Sequence, residues 1–380
     1  MSSDNCSAVL VTGASGFLAG ELLPRLVEKY PESTIYTLLR AENKSQLAER
    51  REAILNFVNV SPQAATRIVA LAGDVEKQDL GFGDEYKRLA REVSEIYHSA
   101  ANTRFDQPLE KARQINYVGT ENILRFAQQV QTLGNLNRYH HVSTAYVAGD
   151  RVGLVKETEL ECGQGFFNTY EQSKYESEVI LQKAMSNIPI TIYRPSIISG
   201  DSITGRTPHF YVIYEPMKWV YFGHLTFLPC NPDVKLDIVP IDYVCDAIVA
   251  IGGQSSSIGK TYHLTAGLDK SIDLNELIDS CHKEFNQFNG EQGKPLVARP
   301  EIITPASIQE MEGESREKSE KFFQRAWSQI QRHMPYIASE KAFDDSATAT
   351  ALKNTGIECP WFRDYLPVVV GYALKQQFRS

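Results

Sequence analysis

The stretch Val9 to Gly20, VLVTGASGFLAG, constrains this chain more than any other. An apolar run ends in a glycine-punctuated turn. Leu22, Leu23, Leu26 and Val27 then recur at helical spacing through Glu21 to Tyr30, so the segment reads as strand, turn, helix. Such a turn aims backbone N–H groups and the positive end of a helix dipole at one point, where a phosphate or pyrophosphate can sit. Gly13 permits the tight turn, and Gly16 lets the backbone approach a ligand with no Cβ in the way. Ala19 stands at the third position of this GxxGxxA pattern, and Gly20 follows it. Taken alone, the pattern also describes an ordinary strand-to-helix turn, so its context must decide.

That context is a series of apolar runs alternating with helical patterns. Thr34–Leu39 reads as the second strand, Arg67–Leu71 as the third, Glu95–His98 as the fourth, Arg138–Val142 as the fifth and Pro189–Tyr193 as another. Strands that are apolar in their centres and separated by helices make an α/β, Rossmann-type, doubly wound parallel sheet. At 380 residues the chain exceeds one average domain. The expected division is residues 1–205 as the nucleotide domain, also receiving elements from about 231–265, and 206–380 as a smaller, mainly helical substrate and C-terminal part. The net charge of −8 and the pI near 5.6 argue against nucleic acid as a partner. Cys6, Cys162, Cys230, Cys245, Cys281 and Cys359 form no CxxC pair and read as scattered thiols in a reducing compartment. MSSDNCS is too polar for a signal peptide and no apolar run is long enough to span a membrane, so a cytoplasmic protein is expected.

The strand ends carry the chemistry. In a dinucleotide fold the end of the second strand faces the adenosine ribose, where an acid selects a free 2′-hydroxyl and a base accommodates a 2′-phosphate. Arg40 occupies that place and favours NADPH, unless it is simply a solvated arginine. Arg50 and Arg51, on the next helical stretch, offer a second cation. Asp74, in Gly73-Asp74-Val75, either accepts from an adenine amino group or caps a turn. Ser99-Ala100-Ala101-Asn102 supplies small residues against which the ribose and nicotinamide end can lie.

Tyr170-Glu171-Gln172-Ser173-Lys174 is the second anchor. On a helix, Tyr170 and Lys174 share a face one turn apart. A neighbouring ammonium stabilises phenolate and would lower the phenol's pKa from its ordinary value near 10. Thr144, at the end of the fifth strand, could bond the substrate carbonyl oxygen or the phenol, completing a Thr, Tyr, Lys set for hydride chemistry at a carbonyl. Lys174 could also hold the nicotinamide ribose. YxxxK alone is a common accident, but here it follows a glycine turn, an Arg-ended strand and a Ser-Thr strand end in order.

The ordered set TGASGFLAG, YHSAANTRFDQP, INYVGT, VSTAYVAG, YEQSK and YRPSIISG resembles the extended short-chain dehydrogenase/reductases. Within them it is most similar to the branch holding thioester reductase domains of nonribosomal peptide synthetases and carboxylic acid reductases, and fatty acyl-CoA reductases. The resemblance covers about residues 8 to 265. It implies Thr144, Tyr170 and Lys174 as catalytic residues, with Asn116 as a fourth member supporting a water-linked proton relay to the lysine; Asn116 equally fits a structural residue at a helix kink. It implies that Gly13, Gly16, Arg40, Asp74, Ala100 and the segment Pro195, Ser196, Ile197, Ile198 line NADPH. The full set expected around the cofactor adds Thr12, Ser15, Phe17, Leu18, Arg50, Val75, Ser99, Ala101, Asn116, Tyr170 and Lys174. The activity it implies is NADPH-dependent reduction of an acyl thioester, on CoA or on a carrier protein, to an aldehyde and onward to an alcohol in some members. Alternatives on the same scaffold are a nucleotide-sugar epimerase or dehydratase, a ketone or aldehyde reductase, or a regulator that binds NADPH without turnover. With no adenylation or carrier domain in the sequence, the thioester is expected to arrive from elsewhere.

The second half is less explicit. Between Arg206 and Cys230 stand Phe210, Tyr211, Tyr214, Trp219, Tyr221, Phe222 and Phe227, which either wall an acyl pocket or pack the interior. Pro240 to Val244 resembles a family segment that docks the smaller domain, which makes Asp242 structural. Tyr262–Leu264 reads as a late strand, Leu274–Phe288 as a helix capped by Ser271 or Asp273, and Lys283–Pro300 as running into a loop. Glu312–His333 reads as an amphipathic helix with Phe322, Phe323, Trp327 and Ile330 on one side. Its Arg316, Lys318, Lys321 and Arg325 either stay solvated or dock an acidic carrier protein. Trp361–Phe378 reads as a terminal helix, packed on the core or lying on a membrane surface.

Overall fold

The structure, a computed structural model, describes residues 8–58, 60–229, 233–303, 336 and 340–379. The segment Glu312–His333, together with Cys6 and Cys230, lies outside the described residues.

Seven strands form one sheet: β1 (Ala8–Thr12), β2 (Thr34–Leu39), β3 (Ile68–Ala72), β4 (Val93–His98), β5 (Arg138–Val142), β6 (Ile190–Pro195) and β7 (Lys260–Leu264). Their order is β7-β6-β5-β4-β1-β2-β3, and every neighbouring pair is parallel. The late strand at Tyr262 thus belongs to the main sheet. Because all strands run the same way, their carboxyl ends share one edge. The order reverses between β1 and β4, which opens the crevice where this fold receives ligands.

The helices that matter here are α1 (Phe17–Lys29), α2 (Lys44–Val58), α3 (Gly119–Thr132), α4 (Thr169–Ala184), α5 (Tyr214–Tyr221), α6 (Ile241–Gly252), α7 (Leu274–Glu291) and α8 (Phe362–Lys375). Alternation along each strand sends apolar residues to both faces. Val9 and Val11 pack with Leu22, Leu26, Val244 and Ile248 of α1 and α6, whereas Ala8 and Leu10 pack with Ile123, Phe126 and Leu181 of α3 and α4. Residues buried on both sides leave no polar period, which is why β1, AVLVT, reads as a continuous apolar run.

A third apolar cluster builds the C-terminal part. Met217 and Val220 of α5, Leu277, Ile278 and Phe285 of α7, and Leu366, Val369, Val370 and Leu374 of α8 bury together. Trp361–Phe378 therefore takes the packed form. Helix α7 runs on to Glu291, correcting the loop expected from Lys283. Asn289 holds its last turn, accepting from the Tyr221 hydroxyl at 2.8 Å and donating to the Pro295 carbonyl at 2.7 Å, which outweighs the glycine at 290. Asp273 stands at the N-cap of α7, but its side chain makes no capping bond. Asp242 accepts from the Ser202 amide and hydroxyl at 2.9 and 2.6 Å, a structural tie.

Candidate active site

The glycine turn follows β1. Gly13 has φ +78°, and a Cβ there would lie 2.7 Å from the Ala100 amide nitrogen and 2.8 Å from the Ser99 carbonyl carbon. Only glycine lets the loops after β1 and β4 approach so closely. Gly16 is the N-cap of α1, and its amide donates to the Gly13 carbonyl at 2.8 Å. No side chain caps that helix, so the N–H groups of its first turn, at Phe17 and Leu18, stay available for an anion. Ser15 is exposed beside them. The third close approach falls at Gly20, where a Cβ would meet the Phe57 ring of α2 at 2.7 Å; Ala19 is buried and accommodated. A turn with no room for a Cβ at Gly13 and little at Gly16, leading to an uncapped helix, fits the pyrophosphate of a dinucleotide.

The remaining cofactor candidates sit on the same edge. Arg40 is exposed just beyond β2, 3.4 Å from the Glu76 carboxylate. Asp74 accepts from the Glu76 amide at 3.0 Å, the turn-capping alternative, and Val75 packs against Gly119. Arg50 is exposed on α2. Arg51 serves the fold instead of a ligand, donating to the Ile68 and Ala65 carbonyls at 3.0 and 2.8 Å. Thr12 is turned inward, its hydroxyl 2.7 Å from His98 Nδ1 and accepting from the Ala100 amide at 3.3 Å. Ser99, Ala100 and Ala101 are half-buried after β4. Pro195, Ser196 and Ile197 are buried after β6, and Ile198 is half-buried. Ser196 donates to Asp237 at 2.5 Å, which ties this segment to the loop after β7, because Asp237 also accepts from the Ala266 amide at 2.8 Å.

Thr144, two residues beyond β5, accepts from the Tyr146 amide at 3.2 Å, donates to the Pro195 carbonyl at 3.5 Å and neighbours the Tyr170 hydroxyl. Asn168 caps α4, accepting from the Glu171 amide at 3.0 Å, and so fixes the start of the helix that carries Tyr170 and Lys174. Burial pushes the Tyr170 phenol up to about 12, against the opposing pull of the neighbouring Thr144 hydroxyl. This corrects the expectation of a lowered phenol. Lys174 shares the helix face, but its ammonium is engaged elsewhere: Nζ donates to the Val142 carbonyl at 2.8 Å and lies 3.2 Å from His141 Nε2. Burial brings Lys174 down to about 8, with Glu178 opposing the shift.

Asn116 lies in a π-helical turn, Gln114–Val118, the kinked alternative. Its side-chain amide donates to the Asn102 carbonyl at 3.1 Å and to Ser173 Oγ at 2.9 Å, and its Oδ1 accepts from the Asn102 amide at 2.7 Å. The Asn116 backbone carbonyl accepts from Thr120 and Ser177 at 2.6 and 2.8 Å. Neither side chain nor carbonyl is bonded to Lys174.

Several neighbours escaped the sequence reading. Phe105 stacks on Tyr336 at 5.0 Å and lies 5.9 Å from Tyr170, so aromatic rings wall the phenol. The fully buried pair Glu178–Arg194 sits below; Arg194 Nε donates to Glu178 at 2.8 Å, and Ser143 donates to Glu178 at 2.7 Å. The only sequence signal for this network is polar residues inside strands, as in RYHHV.

The aromatic stretch resolves toward packing. Phe210 and Tyr214 are core residues, whereas Tyr211 and Phe222 are exposed. An apolar cavity of about 60 Å³ is lined by aliphatic residues such as Ile213, Met217, Val220 and Leu277, and a groove of about 460 Å³ runs beside Tyr221, Phe222 and Lys294–Ala298. Thr144, Tyr170 and Lys174 line neither. Among the described residues no His, Cys, Asp or Glu cluster could hold a metal, and no helix is long and apolar enough to cross a membrane.

Comparison with known proteins places this geometry. A family model described as male sterility protein, with an NAD-binding designation, matches residues 11–248. The fatty acyl-CoA reductase wat of Drosophila melanogaster is 27% identical over 277 residues, covering 64% of this chain and 53% of the relative. The nonribosomal peptide synthetase asaC of Aspergillus flavus is 28% identical over 272 residues, 67% of this chain and 26% of the relative. The chain thus spans about half the length of the first relative and about a quarter of the second. Among solved structures, the terminal R domain of the myxalamid PKS-NRPS biosynthetic pathway superposes with a TM-score of 0.79 at 26% identity, covering 99% of this chain and 92% of that one.

Proposed function

The chain belongs to the male sterility protein family of NAD-binding, short-chain dehydrogenase/reductase-type folds, and from that premise we propose that it reduces an acyl thioester to an aldehyde with NADPH. The observation that carries the reading is the joint position of the Thr144 and Tyr170 hydroxyls, neighbours on the strand edge that also holds the Gly13–Gly16 turn. Similarity to a fatty acyl-CoA reductase and to a synthetase R domain supports a thioester, on CoA or a carrier protein, as the substrate class.

When bound, the nicotinamide supplies hydride to the substrate carbonyl carbon. Thr144 and Tyr170 donate to the carbonyl oxygen as it gains negative charge. Tyr170, held up at about 12, is protonated at neutral pH and serves as the acid. This is the protonation state a reduction requires; a phenol at its ordinary value near 10 would be protonated as well and would be the stronger acid, so the raised pKa adds no acid strength. The protonated adduct is a hemithioacetal, and its collapse expels the thiol and leaves the aldehyde. Lys174 contributes a donor for the nicotinamide ribose. Asn116 holds the loop after β4 against α4 through Asn102 and Ser173. Arg40, exposed at the end of β2, is the group for a 2′-phosphate.

The test is NADPH oxidation followed by absorbance with acyl-CoA, acyl-carrier, aldehyde and nucleotide-sugar substrates. Thioester turnover that falls roughly 100-fold or more in Tyr170→Phe is expected. Full activity in that variant overturns the mechanism, and turnover of sugar nucleotides alone overturns the substrate class.

A further inference from the structure

The donors and acceptors around Lys174 can be assigned one by one. An ammonium has three N–H donors and no acceptor. The Val142 carbonyl takes one at 2.8 Å, and His141 Nε2 lies at 3.2 Å. Since the ammonium only donates, Nε2 must be the bare nitrogen of a neutral ring, and the proton must sit on Nδ1, facing the Tyr139 hydroxyl at 3.4 Å. His141 is fully buried, and burial first, then the Lys174 charge, hold its pKa well below the ordinary histidine value. The groups facing the pair are Glu178 on α4, His98 on β4 with its ring 5.3 Å from that of His141, and Tyr139 on β5. His98 is neutral too, at about 3. Its partners fix its own tautomer. Thr120 spends its proton on the Asn116 carbonyl at 2.6 Å and so accepts from His98 Nε2 at 3.2 Å, leaving Nδ1 for the Thr12 hydroxyl at 2.7 Å. No lone pair of His98 is left for Lys174.

We propose that His141 is a positioning residue for Lys174: its bare Nε2 and the Val142 carbonyl hold two ammonium N–H groups, so that a single one is left for the nicotinamide ribose. The proposal rests on the reading of Lys174 as part of the reductase machinery, but the hydrogen-bond assignment stands independently of it. Asn116, assigned by resemblance to a water-linked relay, is occupied by Asn102, Ser173, Thr120 and Ser177, and the groups that hold the ammonium are His141 and Val142. The lysine is thereby clamped before any cofactor arrives, which lowers the ordering cost of the competent site.

Two measurements decide it. Long-range ¹H–¹⁵N spectra of the cofactor-free protein labelled at histidine, with His141 assigned through His141→Gln, should show the Nδ1–H tautomer near neutral pH; an Nε2–H tautomer or an imidazolium overturns the proposal. In turnover, His141→Leu should lower kcat roughly 10-fold, weaken nucleotide affinity in a direct binding titration and move the alkaline limb of the pH–rate profile down by about one unit, because the ammonium loses an acceptor. His141→Gln, which returns an acceptor near the position of Nε2, should recover kcat to within about threefold. A folded His141→Leu with unchanged kcat, binding and pH limb overturns the proposal, as does a folded His141→Gln no better than leucine. If the wild-type protein reduces no thioester, the functional reading fails, and the tautomer and binding arms still decide the role of His141.

Discussion

The two halves of the sheet are built differently. On β1, β2 and β3 the buried polar side chains are only the hydroxyls of Thr12, Tyr36 and Thr37. On β4 to β7, Glu95, His98, Arg138, His140, His141, Thr191, Arg194 and His263 are all buried. These are paired: His140 with Glu95 at 2.9 Å and Tyr193 at 3.0 Å, Arg138 with the Gln254 carbonyl at 3.0 Å, Thr191 with the Ser257 carbonyl at 3.0 Å, and Arg194 with Glu178. A buried charge is tolerated only when paired and hydrogen-bonded. In the proposed function the first half would meet a ligand with backbone amides and an exposed arginine, so its core can be oil. The second half would have to hold hydroxyl and ammonium groups at fixed points for that function, and the polar network lies beneath them.

The comparison breaks first at Glu178. Glu178→Ala leaves Arg194 buried and uncompensated and should destabilise the protein by roughly 3–5 kcal/mol in denaturant unfolding. Replacing both partners, Glu178→Leu with Arg194→Met, should recover most of that loss, since the paired charges contribute little net stability. Activity should stay low in the double variant, because Ser143 also donates to Glu178 beside Thr144. Stability and turnover that recover together would mean the network is packing alone.

The first half is challenged at Arg40. Arg40→Asp should leave stability unchanged within about 0.5 kcal/mol and cut the preference for NADPH over NADH by roughly 10- to 100-fold, measured as the ratio of kcat/KM values. The guanidinium is solvent-exposed and loosely held at 3.4 Å by Glu76, so nothing in the fold depends on it. An unchanged ratio would move 2′-phosphate recognition elsewhere, with Arg50 the next residue to replace.

What the sequence reveals follows locality in both halves of the sheet. Val9–Gly20, Thr34–Leu39 and Arg138–Val142 are legible because local patterning determines them, and two of those strands have the expected ends. The Tyr170–Lys174 spacing correctly puts both on one helix face, but it cannot say where a flexible ammonium points. That is set by β5, whose Val142 carbonyl and His141 ring take it. His98 meets His141 only through the register of parallel β4 and β5, and Arg194 meets Glu178 only because β6 packs beneath α4. Parallel pairing is non-local, so no window of sequence contains it. Likewise GxxGxxA places a third close approach at Ala19, whereas the Phe57 ring, far along the chain, makes Gly20 the position without room.

The smallest expected effect concerns acid. His98 and His263 are held at about 3 against an ordinary 6.5, burial being the main cause for both. His140 and His141 are lowered in the same direction. All four lie on β4, β5 and β7, so the chemical half alone carries this liability. The unfolded chain binds protons on these rings below about 6.5 while the folded protein does not until far lower, so their stabilising contribution is complete above pH 6.5 and is lost as pH falls toward 3. Between pH 7 and 6 one such ring accounts for about 0.7 kcal/mol of lost stability. His263 accepts from Arg194 at 3.2 Å and donates from Nδ1 to the Asp344 carbonyl at 2.7 Å, so His263→Gln keeps a polar side chain there and removes the titration. Its stability in denaturant, whatever its value at pH 7, should fall less than that of the wild type between pH 7 and 6, by about that amount. Equal slopes would mean that His263 is already charged in the fold and that the polar half of the sheet is less dry than its burial implies.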